Sequence, residues 1–343
     1  MDLYAIGEDG RAHKGGTGEL EQKSKNRVQA LTEQVLSYAP DLVGFQEDVN
    51  NWVNNMCLGD GYVCYRPNTI HTAHTMEYCS IYVRKGIRIT DSGWRWLTSD
   101  GTNATVALTY EEVIKSGHMT AKELEQLGHT ATENTVLKKN GIGSYSLAAR
   151  LMNYVVLEVD GKAVIYVNTH LQHRGHNNAN YHKATEVNKL LFRLRFLERC
   201  KQMAMLEATV SELMNRYDTR DVIMTADFND NPEGIDYGTG LKNFYTVVTE
   251  SGWRDCSAVA KKTVWSDTWN SAFANADIAL QGQGYEAEDV NSGNGDRIDF
   301  CFVSDSLSDC VAEYGVGDYV FTTKNGITVY PSDHLPIIID LLI

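Results

Sequence analysis

Apolar residues recur at helical spacing over residues 24–38, where Val28, Leu31, Val35 and Tyr38 share one face and Pro40 ends the run. The stretch LVGF at 42–45 then reads as a short buried strand, and residues 61–67 and 77–86 as further strands. From about 98 to 144 the chain turns polar, with one predicted helix that begins at Thr120 and has Glu123 to complete a capping box. Residues 153–171 hold two β-rich runs around Asp160-Gly161, the signature of a hairpin. A long helix is predicted from about 182 to 216, with Leu190, Leu194, Leu197, Met205 and Leu213 among its apolar positions. Residues 221–229 form another buried strand that ends in polar residues, and 297–303 and 334–343 are the last strands. The Asn-, Gly- and Asp-rich residues 266–295 read as loop. No linker or repeat divides the chain. The pattern fits a single α+β or layered α/β domain over residues 1–343, with a polar surface insertion at about 98–144.

Composition narrows the function. At 343 residues the chain is long enough for a large core, and no apolar run approaches the roughly 18 residues of a membrane span. The first residues lack an apolar h-region, so no signal peptide is expected in the chain as it stands. Secreted and cytoplasmic locations both stay open, as does the oligomeric state. The seven Cys (Cys57, Cys64, Cys79, Cys200, Cys256, Cys301, Cys310) form no C-x-x-C pair, which argues against a zinc knuckle. The net charge of −14 argues against a processive nucleic-acid binder, which shows a basic footprint. A bound cation would still dominate the field at a local phosphate site.

Polar side chains stand where packing alone would not place them. They are Gln46-Glu47 after LVGF, Asn168 and His170 within VNTHL, Asp227 and Asn229 in ADFND, Asp299 in RIDF, and Ser332-Asp333-His334 before LPIII. Polar groups beside apolar strands need partners or a ligand. Gathered at one rim of a sheet, these carboxylates, imidazoles and amide would repel one another unless a cation sat among them. Oxygen-rich donors favour Mg2+, Mn2+ or Ca2+ over zinc. Each motif alone has a plainer reading. Asp227-Phe228-Asn229 suits a turn, His170 suits a satisfied core histidine, and Asp299 suits an ion pair with Arg297. His173, Arg174 and His176 suit a pocket lining or a solvated loop, and Trp253, Trp265 and Trp269 suit core or rim. The joint occurrence, in order and on strand ends, is what outweighs these readings.

The order GFQE, NTHL, DFN, RIDF, SDH resembles the endonuclease/exonuclease/phosphatase superfamily. That group includes deoxyribonuclease I, abasic-site endonucleases, inositol-polyphosphate phosphatases, neutral sphingomyelinases and deadenylases. The resemblance implies an α/β fold, a four-layer α/β/β/α sandwich of the deoxyribonuclease I-like type. It implies that Glu47 binds a metal with Asp333 near it, and that Asp227 positions the attacking water. It further implies that Asn229 and His170 contact the phosphate, that His334 is catalytic, and that Asp299 orients its imidazole. Arg150 matches an arginine that contacts phosphate. The family's opening strand ends in an asparagine; here residues 3–6 are short and Gly-Glu-Asp-Gly follows, while Asn26 lies on the first helix. The first strand is therefore expected to be missing or remodelled, which would leave strand edges unpaired and metal support weaker. The implied function is Mg2+-dependent hydrolysis of a phosphodiester or phosphomonoester. The acidic charge tilts the substrate toward a small molecule or lipid headgroup over a long nucleic acid. A catalytically impaired phosphate-ligand binding module on the same scaffold is the alternative.

Overall fold

The structure is a computed structural model that describes residues 4–6, 12–14, 18–48, 58–67, 78–97, 108–129, 150–173, 183–232, 242–263, 269–270, 295–318, 321–329, 331–332 and 334–343. The N-terminal strands β1 (Tyr4–Ile6) and β2 (Ala12–Lys14) form a two-stranded sheet with each other. Helix α1 (Gly18–Tyr38) follows and leads into β3 (Leu42–Gly44). Strands β4 (Tyr62–Tyr65), β5 (Ile81–Arg84) and β6 (Arg88–Trp96) come next. Two short helices, α2 (Tyr110–Lys115) and α3 (Ala121–Gln126), precede the hairpin β7 (Leu151–Val159) and β8 (Lys162–His170). The long helix α4 (Glu186–Arg216) leads into β9 (Val222–Asp227), α5 (Phe244–Glu250), β10 (Arg254–Asp255) and α6 (Cys256–Val259). The remaining strands are β11 (Lys262–Thr263), β12 (Trp269–Asn270), β13 (Gly295–Asp296), β14 (Asp299–Val303), β15 (Val311–Val316), β16 (Phe321–Thr322), β17 (Thr328–Val329) and β18 (Ile337–Leu341).

Six strands make the central sheet in the order β10-β14-β9-β8-β7-β6. Side-chain alternation sends Ile165 and Val167 of β8, Met224 and Ala226 of β9, and Phe300 and Phe302 of β14 to one face. There they pack on Phe192, Phe196, Leu206 and Leu213 of α4 and on Phe244 of α5. The opposite face carries Val164, Tyr166, Ile223 and Cys301. It packs on two three-stranded sheets, β3-β5-β4 and β11-β15-β18, through Ile81, Val83, Tyr314 and Ile339. Val28, Leu31 and Val35 of α1 cover the outside of the first of these sheets, against Val43, Tyr62 and Tyr82. The layers therefore run helix, sheet, sheet, helix.

The β7–β8 hairpin turns at Asp160 and Gly161, with φ of 49° and 78°. Two positive φ values in a two-residue loop match the right-handed twist of the flanking strands. The predicted surface insertion needs correction. It contains two helices, each closed by a capping box (Thr109 with Glu112, Thr120 with Glu123), and Leu108, Val113, Met119, Leu124 and Leu127 are buried in the main core. Its solvent face is polar, but its inner face is part of the fold. The strands β6 and β15 have no counterpart among the predicted elements. Trp253 is a core residue, and Trp265 lies outside the described residues.

Asn168 joins the layers. Its amide donates to the carbonyls of Phe45 (2.8 Å) and Ser80 (3.3 Å), and its Oδ1 accepts from Gln46 Nε2 (2.6 Å) and Thr225 Oγ1 (3.0 Å). Such close approach requires Gly44, because a Cβ there would lie 2.6 Å from both Asn168 Oδ1 and the Tyr166 hydroxyl. Gly44→Ala is expected to destabilise the protein by about 2 kcal/mol through overpacking. A lowered urea midpoint checks this; a midpoint equal to that of the parent protein would show that β3 does not press on β8.

Candidate active site

Strand register assembles the site. His170 and Asp227 are Cα partners in the parallel β8–β9 ladder, and Asp299 is the partner of Asp227 in the antiparallel β14–β9 ladder. One row thus crosses three adjacent strands as His170, Asp227, Asp299. All three are buried, Asp227 with only 2% of its surface exposed. The chain turns sharply after β9. Phe228 N donates to Ile298 O (2.9 Å), Asn229 adopts a φ of 54°, and Asn229 N donates to Asp227 Oδ1 (2.7 Å). A positive φ is several-fold commoner in Asn than in most residues, and the bond to the Asp227 carboxylate supports it.

The side chains converge. His170 Nε2 lies 3.2 Å from Asp227 Oδ2 and 2.7 Å from Asn229 Nδ2, while Asn229 Nδ2 also donates to Leu171 O at 3.1 Å. The imidazole proton decides between the two neighbours of Nε2. A proton on Nε2 is donated to the carboxylate; a proton on Nδ1 leaves Nε2 to accept from the amide. His334 Nδ1 lies 2.9 Å from Asp299 Oδ2. The ligand atoms of Asp227, Asp299 and His334 lie within 4.8 Å of one another, a group able to hold a metal ion. Burial pushes the Asp227 carboxyl up to about 6, the nearby Asp299 adds to the rise, and His170 and His334 oppose it.

The other sequence-predicted residues divide. Glu47 is exposed, with a φ of 56°, in a turn held on one side by the Gln46–Asn168 bond and on the other by Asp48, whose Oδ2 accepts from Ser80 N (3.0 Å). Asn168 lies two residues before His170, so Glu47 stands toward the same rim, outside the group of three. Arg150 is buried just before β7; Met152 pairs with Thr169, which sets Arg150 at the rim end of that strand. Asp333, Arg174 and His176 lie outside the described residues, and His173 is exposed. The plainer reading of Asp299, an ion pair with Arg297, is not what the described contacts show. Arg297 pairs with Asp255 and Ser257 and lies 4.4 Å from the Phe300 ring, which leaves Asp299 to His334.

Sequence reasoning did not single out Asp48, Asp230 or Arg199. Asp48 and Asp230 stand beside predicted site residues, and a second acid in each motif was a readable sign. Arg199 sits within an apolar helix pattern, with nothing local to mark it.

The helix–sheet–sheet–helix arrangement carries a carboxylate–histidine rim at its strand ends. The sequence profile of the Endonuclease/Exonuclease/phosphatase family matches residues 16–334, and the chain belongs to that family. No curated protein matches the chain. Among solved structures it is similar to a mannosyl-6-phosphatase of Bacteroides thetaiotaomicron at 16% identity, covering 96% of each chain with a TM-score of 0.58. It is similar to a family member from Bacteroides vulgatus at 18% identity, covering 94% of each chain with a TM-score of 0.57. A truncated TDP2 of Caenorhabditis elegans has 18% identity and a TM-score of 0.50, with 93% of this chain and 92% of that one covered. At these identities the likeness shows the fold.

The raised Asp227 pKa has a consequence for the metal-free protein. Between the ordinary carboxylate range and about pH 6, the folded chain holds a proton that the unfolded chain has released, so stability rises as pH falls across that window. In EDTA, the melting temperature is expected to gain from this group between about pH 7 and pH 5, and Asp227→Asn to remove that part of the slope. Equal pH slopes for the two proteins would contradict the assignment.

Proposed function

We propose that this rim hydrolyses a phosphoester with the help of a divalent cation. The observation that carries the reading is the row His170, Asp227, Asp299 across three strands, with His334 held against Asp299 at 2.9 Å. Asp227 is buried and acts on one water, accepting its hydrogen bond and aiming it at phosphorus. Asn229 and His170 meet the phosphate oxygens from the β8 side. His334, its Nδ1 turned to Asp299, presents Nε2 to the reacting group, and the carboxylate stabilises the imidazolium when it is protonated. Arg150 supplies positive charge to the phosphate.

The donor set fits a hard cation. It offers carboxylate oxygens and imidazole, and added positive charge would offset the burial and the neighbouring Asp299 that raise Asp227. Held by Glu47 and Asp333, Mg2+ (or Mn2+ or Ca2+) would polarise a phosphoryl oxygen. The net charge of −14 favours a small phosphoester or lipid headgroup over a long nucleic acid. One observation favours the second reading, a phosphate-binding module without turnover: among the described residues, β1 pairs with β2 and with no strand of the large sheets.

Hydrolysis of p-nitrophenyl phosphate and bis-p-nitrophenyl phosphate, with Mg2+ and with EDTA, separates the readings. Turnover that EDTA abolishes is expected, and His334→Ala should lower kcat by about 10²–10⁴-fold, the range for a general acid–base group. Calorimetric Mg2+ binding without turnover would favour the binding module; neither binding nor turnover would sink both.

A further inference from the structure

Arg199 lies on α4, on the far side of the sheet from the second β-layer, and its side chain is 0% exposed. Its guanidinium carbon is 5.6 Å from the Phe244 ring and 6.0 Å from the Phe196 ring. A charge in such a pocket is costly, and an apolar side chain of similar length fills the same space at no electrostatic penalty. What an apolar side chain cannot do is join two loops. Arg199 Nη2 donates to Asp230 Oδ2 at 2.6 Å, and Nη1 donates to the carbonyl of Gln172 at 3.4 Å. The N–H of the same Gln172 donates to Oε1 of Gln202, one turn further along α4, at 2.9 Å. Asp230 Oδ1 in turn accepts from Asn231 N at 3.1 Å.

These bonds sit directly behind the reacting groups. Gln172 is two residues past His170, at the exit of β8; Asp230 is one residue past Asn229, at the exit of β9. The 2.7 Å approach of Asn229 Nδ2 to His170 Nε2, and the bond from Asn229 Nδ2 to Leu171 O, both cross between these loops. We propose that Arg199 is a positioning residue: one buried guanidinium clamps the β8 and β9 exit loops together and so sets His170 and Asn229 at phosphate-binding separation. It touches no reacting atom. The kinetic part of this proposal rests on the phosphoester-hydrolysis reading; the geometric part does not.

The experiment compares Arg199→Met with the double variant Arg199→Met/Asp230→Asn. The single variant takes the guanidinium away from the buried Asp230 carboxylate, so its melting temperature falls; the double removes both charges, and its melting temperature returns close to that of the parent protein. A purely structural ion pair would let kcat recover with stability. A positioning role keeps kcat of the double variant about 10–100-fold down, since displacements of about 1 Å cost that much, with KM changed less than about threefold. The ring-proton NMR signals of His170, assigned with His170→Gln, should shift in the double variant as well. Gln202→Met releases the Gln172 N–H without touching a charge. It should give the same signature at about threefold in kcat, and it carries the test if the charge variants do not fold. Parent-like kcat and unshifted His170 signals, in the double variant or in Gln202→Met, overturn the proposal. If the parent protein turns over no phosphoester, the hydrolysis reading has failed, and the His170 signals alone decide the clamp.

Discussion

A carboxylate on the middle of three neighbouring strands, cut off from water, has to be balanced by the strands on either side of it. Asp227 is in that position. His170 on β8 sets an imidazole against it, Asp299 on β14 sets a second carboxylate beside it, and its own backbone turns so that Asn229 N binds Oδ1. The second carboxylate would make the cluster untenable were it not engaged by His334. His170, His334 and the Asn229 N–H offset part of the cost of charging Asp227, while burial and Asp299 oppose them and keep the group ionisable near neutral pH. The same balance suits an acid that must hold a water and tolerate a cation nearby.

The scaffold around the row is arranged to hold it still. On one side of the sheet, Asn168 uses its donors and acceptor to tie the β3 exit, with Gln46 and the Glu47 turn, to β8. On the other side, α4 carries Arg199 and Gln202 inward among apolar residues and grips the two loops that follow His170 and Asn229. Behind β14, Arg297 is taken up by Asp255 and Ser257, so it does not compete with His334 for Asp299. Buried polar groups bonded to named partners impose one arrangement, whereas apolar packing would tolerate several.

Much of this was legible in the sequence because the site is made of strand ends. Alternation and turn residues mark where β8, β9 and β14 stop, and the polar residues there interrupt otherwise apolar runs. Hence His170, Asp227, Asn229, Asp299 and His334 could be picked out together. What local pattern does not encode is which strands become neighbours. The pairing of Arg297 with Asp255 rather than Asp299 is decided by the β10–β14 ladder, which brings together segments more than 40 residues apart. The helices at 110–126 show the same limit. Their apolar residues are too few and too widely spaced to show a helical stripe, yet they are buried against α4 and the central sheet. Arg199 was hidden for the opposite reason, since one charge in a long helix ordinarily faces solvent.

The central claim is that a cation belongs at this rim, beside Asp227, Asp299, His334 and Glu47. Anomalous diffraction from crystals soaked in Mn2+ tests it most directly. The account requires a peak at the rim, within coordination distance of Glu47, that is lost or weakened in Glu47→Ala. A protein that orders at full resolution in Mn2+ with no peak there, or with its only strong peak elsewhere on the surface, would contradict it.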